Sequence, residues 1–334
     1  MAPWRGLLRT AAALVVLAVF AEAFNIPSIF SDSGKADRGS TAAAGTVFVG
    51  GKAPSKCHGL KINVLPKRND VITTISGEDA LRKHNLKFDS CAVVGNAGML
   101  QGTRYGAVID SHAAVIRMNQ APTEGYHNTA GSKATFRIIN KEWVWKYAEG
   151  HKWLPTEPGL MLVSRNDNEE RIARGKYAPA LANTGLRNRI TKWSAKAKVP
   201  VLKATKRLVD ASWKLTYSFA PCTPGKVNKC PQCKPSSGII AVSMALSMCD
   251  RVNVYGMGGS RFKGKYPYHY YVFRNTQLKQ GYSGHMFETE RALVEQLGRE
   301  GFLTVCTDEN PVECSAPSWV DNPCCSQAGG VEGR

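Results

Sequence analysis

The chain has 334 residues, of which 43% are hydrophobic and 21% are charged, which is the composition of an ordinary globular protein with one large domain and additional segments. Its net charge of +18 is concentrated between Arg165 and Lys229, where fifteen Lys or Arg stand against four Asp or Glu. No basic recognition helix or aromatic-rich pattern accompanies these charges, so nucleic acid is not an expected partner. A solvated basic face or the rim of a site for an anionic substrate fits better.

The N-terminus has the layout of a secretory signal, because Arg5 and Arg9 precede an apolar run from Ala11 to Ala21. The small residues Ala21 and Ala23 resemble a cleavage site, and the run is shorter than the ~20 residues that span a bilayer comfortably. An uncleaved signal anchor and a cleaved signal peptide therefore both stay open. We expect a cytosolic tail at 1–9, the anchor or signal at 10–24 and a flexible, small and polar stem at 25–56.

Ten cysteines form an even set that fits an oxidising compartment, although their connectivity does not follow from sequence. Cys222, Cys230 and Cys233 end in a C-x-x-C, but no second C-x-x-C or nearby histidine completes a zinc site at the usual spacing. We expect a loop pinned by disulfides there rather than a metal centre.

Short β-branched segments alternate with helical patterns from Cys91 onward, which predicts an α/β fold with a mainly parallel sheet between helices. The helix Ser237–Met248 is apolar nearly all round and should be buried, whereas Phe287–Arg299 carries an apolar pair, Leu293 and Leu297, on a charged helix. The predicted strands are Ala92–Val94, Val115–Met118, Thr135–Ile139, Leu160–Val163, Val199–Leu202, Val252–Tyr255 and Leu303–Val305.

A glycine loop follows the first of these strands, at Gly95, Gly98 and Gly102. This spacing is a poor match to the G-x-G-x-x-G fingerprint, so an NAD-dependent enzyme is a weak alternative. Asn96 inside the loop can donate its amide to a phosphate oxygen, as can nearby backbone N–H groups. The loop alone is equally compatible with glycines that only turn the chain.

Four segments together carry a resemblance. The stretch 91–137 begins CAVVGNAGML and includes Asp110, Arg117 and Gly131, and 235–258 reads PSSGIIAVSMALSMCDRVNVYGMG. They are followed by HYY at His269–Tyr271, within a third segment at 269–272, and by His285-x-x-x-x-Glu290. In this order they resemble the large, small, third and very small motifs of the eukaryotic sialyltransferases, glycosyltransferase family 29.

The resemblance implies a Rossmann-like domain, a variant of the GT-A fold with about seven strands, at 57–334. It further implies an inverting transfer of sialic acid from CMP-sialic acid to a hydroxyl of a glycoprotein or glycolipid glycan, with no metal or other cofactor. The expected location is the Golgi membrane, single-pass type II with a lumenal catalytic domain, or secretion if the signal is cleaved. The N-terminal anchor would be the contact with the membrane.

By the same resemblance His285 is the general base, and its place ahead of an acidic helix supports a neutral imidazole, since the helix dipole disfavours imidazolium. Glu290 lies about 140° further round if both residues are helical, so we expect it to be structural or to reach elsewhere in the fold. His269 would donate a hydrogen bond to the leaving phosphate. Aromatic packing within the Tyr-rich run 266–271 is the alternative for His269.

Donor binding is expected from residues at strand ends and at the start of the buried helix. Turn formation is the alternative for Asn119 and for the glycines, and N-capping is the alternative for the serines. The resemblance also implies a disulfide between Cys91 and Cys249 that clamps two halves of the donor site. The predicted donor-binding residues are Asn96, Asn119, Ser236, Ser237, Gly238, Gly256 and Gly258.

Three positions depart from the family pattern and leave donor or acceptor specificity open. Ala97 stands where the loop usually has serine, Lys234 where some members place an aromatic acceptor contact, and Val272 where an acidic residue commonly follows the third motif. One alternative is therefore the same fold with CMP-Kdo or a related acidic sugar donor. Another is a lectin-like pseudoenzyme that binds nucleotide or glycan without turnover.

Overall fold

An eight-stranded sheet with the order β1-β6-β5-β4-β3-β2-β7-β8 forms the centre of the structure. The structure is a computed structural model that describes residues 57–75, 86–165, 184–223, 233–257, 266–272, 284–308 and 314. Neighbouring strands are parallel except for β1 and β6. The strands are β1 (Ile72–Thr74), β2 (Phe88–Val94), β3 (Ala114–Met118), β4 (Phe136–Ile139), β5 (Met161–Ser164), β6 (Val201–Ala204), β7 (Cys249–Tyr255) and β8 (Thr304–Cys306).

The predicted α/β class and all seven predicted strands are confirmed. Only β1 was missed, because its three residues form an antiparallel edge strand that is too short to show a period of two. The predicted bounds of the two most important helices, Ser237–Met248 and Phe287–Arg299, are also confirmed. The helices are α1 (Gly106–Ser111), α2 (His127–Ala130), α3 (Lys141–Ala148), α4 (Thr184–Ala197), α5 (Lys206–Phe219), α6 (Ser237–Met248) and α7 (Phe287–Arg299).

Helices cover both faces of the sheet, as the alternation of side chains along β2 shows. Cys91 and Val93 pack into the apolar cluster that contains α5, α6 and α7. Ala92 and Val94 point to the opposite face, into a cluster with residues of α1 and the buried tyrosines of the third motif. A further cluster on that face joins α3 and α4 to β5 and β6. Each central strand is therefore buried on both sides, as parallel strands generally are.

The strand order reverses at β2, and this places the ligand-binding edge. Strands β3 to β6 follow on one side of β2, whereas β7 and β8 lie on its other side. In open α/β sheets, ligands bind at the carboxyl ends of the strands where the order reverses. The loops after β2 and β7 are therefore the expected place for a donor nucleotide.

Disulfides join Cys57 to Cys222, Cys91 to Cys249 and Cys306 to Cys314. The pair that the resemblance implied is thus present. A disulfide at Cys222 agrees with the expectation of a pinned loop in the 222–233 segment, and its partner, Cys57, is distant in sequence. Cys233 is also disulfide-bonded, whereas Cys230 lies outside the described residues.

The predicted tail at 1–9, anchor at 10–24 and stem at 25–56 lie outside the described residues. Among the residues that the structure describes, no helix is long and apolar enough to cross a bilayer. The membrane topology therefore stays a prediction from the sequence.

Candidate active site

The glycines of the loop after β2 allow two pieces of backbone to meet. The Gly95 N–H donates to the Tyr255 carbonyl (2.6 Å) and the Ala97 N–H to the Gly256 carbonyl (3.3 Å), so the loops after β2 and β7 are joined. A Cβ atom on Gly95 would collide with the Gly256 carbonyl oxygen. Gly256 itself has a φ of +64°, a conformation that glycine adopts without strain.

At Gly256 a protein side chain occupies the space that an added Cβ atom would need. A Cβ atom there would lie 2.8 Å from Cδ1 of Leu100, so protein rather than ligand fills that space. The glycine nevertheless lines the cleft at this edge of the sheet. Gly258, the other predicted glycine of this loop, lies outside the described residues.

The third motif lies directly on the glycine loop. His269 forms an antiparallel bridge with Ala97, and the Tyr270 N–H donates to the Asn96 carbonyl (3.0 Å). A Cβ atom on Gly98 would collide with the backbone carbonyl oxygen of Pro267. The loop that resembles a phosphate cradle is therefore first a docking surface for the segment that carries His269.

The His269 ring lies in the cleft and also packs between tyrosines. It stacks on Tyr271 with parallel planes at 5.0 Å and is tilted against Tyr268 at 4.6 Å. The predicted site role and the alternative of aromatic packing are thus compatible. Burial raises the pKa of the neighbouring Tyr270 to about 12, so its hydroxyl stays protonated and donates to the Pro122 carbonyl (2.7 Å).

Asn96 presents one end of its side-chain amide to the cleft. Its Nδ2 lies 3.3 Å from the Tyr271 hydroxyl, and its Oδ1 is buried with no hydrogen-bond partner among the described residues. A tyrosine hydroxyl can donate or accept, so either end of the amide can make this bond. In both orientations the other end of the amide is buried beside the cleft without a hydrogen bond to a described residue.

Asn119 is held at the end of β3 in a left-handed conformation, with a φ of +49°. Its Oδ1 accepts the N–H of Asn140 (3.1 Å), so its Nδ2 is the group that can donate to a ligand. The buried Arg137 donates to the carbonyls of Asn119 (3.0 Å) and Ala121 (2.9 Å) and pairs with Glu157. Sequence reasoning gave Arg137 no role, because a charged residue within a predicted strand shows no partner in the sequence.

Side-chain hydrogen bonds hold the other side of the cleft. Nδ1 of His285 lies 2.7 Å from the Lys234 carbonyl oxygen, and the Lys234 N–H donates to the Gly284 carbonyl (2.9 Å). A carbonyl oxygen only accepts, so Nδ1 carries its hydrogen and the neutral ring has its lone pair on Nε2. The buried Glu290 accepts the N–H of Ser236 (2.8 Å), which agrees with the expectation that it reaches elsewhere in the fold.

The start of α6 offers backbone donors to the cleft. Ser236 caps the helix by accepting the N–H of Ile239 at Oγ (3.2 Å), as its alternative role predicted. The N–H groups of Ser237 and Gly238 make no hydrogen bond within the part of the chain that the structure describes, and both residues line the cleft. With the helix dipole they can bind an anion.

Arg165 is a cleft residue that sequence reasoning missed. It follows β5 directly, and its guanidinium donates to the Pro235 carbonyl (2.9 Å), next to the start of α6. The rule that ligands bind at strand ends, which pointed to Asn96 and Asn119, could also have found it.

One cleft thus brings together nearly all the predicted site residues. We call its two sides the glycine wall, formed by 95–98, 256–257 and 266–272, and the helix wall, formed by 234–238 and 284–290. Cys91 and Cys249 do not line the cleft. The predicted residues that do are Asn96, Asn119, Ser236, Ser237, Gly238, Gly256, His269 and His285.

The sequence model of the protein family described as glycosyltransferase family 29 (sialyltransferase) matches residues 52–302 of this chain. The chain belongs to this family. It is 33% identical to a Gallus gallus CMP-N-acetylneuraminate-beta-galactosamide-alpha-2,3-sialyltransferase 1, over 57% of this chain and 52% of the relative. It is 29% identical to a Pan troglodytes beta-galactoside alpha-2,6-sialyltransferase 2, over 71% of this chain and 45% of the relative.

Among solved structures, a mammalian sialyltransferase aligns with a TM-score of 0.44 at 23% identity, over 66% of this chain and 69% of that one. This family 29 chain spans about half the length of the curated relatives it matches.

Within the described residues, no group of three or more His, Cys, Asp or Glu is arranged to hold a metal ion.

Proposed function

We propose that this chain transfers sialic acid from CMP-sialic acid to a hydroxyl of an acceptor glycan, with inversion and with His285 as general base. The observation that carries the proposal is the bond between Nδ1 of His285 and the Lys234 carbonyl. This bond fixes the tautomer in which Nε2 accepts a proton. Membership of the sialyltransferase family and the names of the relatives support the donor and the reaction class.

In the proposed step, the acceptor oxygen forms a bond to the anomeric carbon while the bond from that carbon to the CMP phosphate oxygen breaks. The hydroxyl proton passes to Nε2 of His285, and the bonding electron pair leaves with CMP. Negative charge therefore grows on the phosphate. His269 and the N–H groups of Ser237 and Gly238 are the donors in the cleft that can stabilise it.

Arg165 supports an acidic sugar as the transferred group. Its guanidinium donates to the Pro235 carbonyl at the start of α6, and the carbonyl of the preceding residue, Lys234, bonds to His285. A guanidinium binds carboxylates with two parallel hydrogen bonds, and sialic acid and Kdo both carry a carboxylate at the anomeric carbon. We therefore propose that Arg165 contacts this carboxylate in CMP-sialic acid, with CMP-Kdo as the alternative donor.

We also propose that the domain works in the lumen of the secretory pathway. The disulfides between distant cysteines support an oxidising compartment. A Golgi membrane anchor at 10–24, or secretion after cleavage, is part of the same proposal and follows from the N-terminal sequence alone.

The test is CMP release by the full chain, made in a host with an oxidising secretory pathway, from CMP-sialic acid and from CMP-Kdo with mixed glycan acceptors. We expect release from one donor, unchanged by EDTA. His285→Ala should lower kcat by about 10²–10⁴ while CMP still binds, because general bases contribute factors of this size. The exposed His58 provides the control variant His58→Ala, which should retain full activity.

Asn119→Ala should instead raise the KM for the donor more than it lowers kcat. Full activity of His285→Ala would show that another group is the base. CMP binding without release from either donor would replace the transferase with the binding-only alternative.

A further inference from the structure

Helix α4 carries a stripe of cations. It contains four basic and no acidic residues, and Arg189, Lys192 and Lys196 lie three and four positions apart, on one exposed side of the helix. Within the described part of the chain, none of them forms an ion pair. This stripe accounts for part of the excess charge noted in the sequence.

The other charged helices behave differently. On α5, Lys206 pairs with Asp210 (2.6 Å) and Arg207 with Asp70 (2.8 Å). On α7, Arg291 pairs with carboxylates three residues before and four residues after it. Lys214 of α5 also has no ion pair among the described residues, so what distinguishes α4 is that three such cations share one exposed side, where a positive patch attracts anions.

Indole rings lie beside cations of α3 and α4. The Arg189 guanidinium sits 4.6 Å from the ring of Trp145, and Trp193 packs edge-on against Tyr147 at 5.1 Å. Lys146 lies over the ring of Trp153 at 5.8 Å. Trp145, Trp153 and Trp193 are half-buried. We define the α3–α4 face as these indoles together with Lys146, which also pairs with Glu142 (3.7 Å), and the exposed Lys141, Lys152, Arg189, Lys192 and Lys196.

The face begins at the active-site cleft. Asn140 lines the cleft and caps α3 by accepting the Trp143 N–H, and the next residue is the exposed Lys141. Helices that follow parallel strands start at the carboxyl edge of the sheet, so α3 runs from the cleft down the side of the domain. A polymer with one end in the cleft can therefore continue along this face.

We propose that the α3–α4 face binds a polyanionic glycan, a sugar chain with several carboxylates or sulfates, as the extended part of an acceptor. The cations complement its acidic groups, and the indole rings can pack against the C–H faces of its sugars. A bilayer fits less well, because the half-buried indoles cannot insert deeply. The large exposed apolar residues of the described part, Val64, Tyr217 and Val272, lie elsewhere. The identification of the glycan as an acceptor rests on the proposed function.

The test compares two triple variants of the full chain in binding to fluorescent chondroitin sulfate at physiological salt. The variant with Arg189→Gln, Lys192→Gln and Lys196→Gln together should bind about tenfold more weakly or worse. A tenfold rise in Kd corresponds to a loss of about 1.4 kcal/mol of binding free energy. The matched control on α5, Lys206→Gln, Arg207→Gln and Lys214→Gln, removes the same charge and should change binding less than about twofold. Neutral dextran should not bind.

Transfer measurements connect the face to the reaction. The α4 variant should keep the kcat/KM of the unmodified chain for a neutral disaccharide acceptor and lose it selectively for an acidic chain. Equal weakening by both triple variants would overturn the proposal, as would equally tight binding of oligo-dT or of phosphatidylserine vesicles. Failure of the proposed function looks different, because no acceptor is then modified while the selective loss of chondroitin sulfate binding persists.

Discussion

The two walls of the cleft are held in place by different kinds of interaction. In the glycine wall, backbone meets backbone, since Gly95 contacts Gly256 and Gly98 lies against the carbonyl of Pro267. In the helix wall, side-chain bonds supplement the backbone bond between Lys234 and Gly284: His285 bonds to the Lys234 carbonyl and Glu290 to the Ser236 N–H. The first wall should reject a single added methyl group, whereas the second should tolerate any substitution that keeps its hydrogen bonds.

Among the variants that test this difference between the walls, Gly98→Ala should have the largest effect. The new Cβ would collide with the backbone carbonyl of Pro267, so the segment with His269 must move. A misplacement of about 1 Å can cost about 10²-fold in rate, and we expect a loss of that size in kcat/KM. Gly102→Ala is the comparison, because its Cβ would meet the hydroxyl, Cζ and Cε1 of Tyr266, which are side-chain atoms that can move without a shift of the backbone, at the cost of the bond from the Tyr266 hydroxyl to Asp308. Similar losses in both variants would contradict the backbone account of this wall.

The next effect concerns the disulfide that connects the walls. Cys91 lies in β2, below the glycine wall, and Cys249 follows the C-terminal end of α6, whose other end forms the helix wall. Cys91→Ser with Cys249→Ser should lower the free energy of unfolding by about 2–5 kcal/mol, measured by urea denaturation. Cys306→Ser with Cys314→Ser, a pair separated by 8 residues rather than 158, should cost less. Equal losses in the free energy of unfolding would show that the length of the closed loop does not determine how much each disulfide stabilises the domain.

A smaller effect is expected from Glu290 in the helix wall. Glu290→Ala leaves the buried Ser236 N–H without its acceptor, which should cost about 1–3 kcal/mol of stability. Glu290→Gln keeps an oxygen at the same place and should recover most of that stability in thermal melts. If the glutamine variant is as unstable as the alanine variant, the charge of Glu290 matters more than its bond to the backbone.

The smallest effect is a pH dependence beneath the glycine wall. Burial lowers the pKa of His112, which packs edge-on against Tyr255 at 5.8 Å. The unfolded chain therefore binds this proton more readily than the folded one, so stability is complete above the ordinary pKa of 6.5 and declines as the pH falls below it. Between pH 7.5 and 5.5 the Tm should drop less in His112→Asn than in the unmodified chain. An equal drop would assign the acid sensitivity to other groups.

Predictions from the sequence succeeded for features set by neighbouring residues and were weaker for contacts between residues that are far apart in the chain. The bounds of α6 follow from a largely apolar segment behind a capping serine, and both are local features. The disulfide between Cys91 and Cys249 was available only through family resemblance, since spacing does not fix pairing. Arg137, which supports Asn119, was missed because no sequence pattern shows its partners. Arg165 was missed although its place directly after β5 could have pointed to it.

The sequence by itself determined the alternation of strands and helices, the family motifs and the set of polar residues at strand ends, because periodicity, capping and strand direction are properties of short segments. Only the tertiary structure decided what the glycines of the first loop contact, which ring nitrogen of His285 has the lone pair, and which carboxylate holds the start of α6. These depend on atoms that come within hydrogen-bond distance across long stretches of chain, and no local pattern encodes such distances.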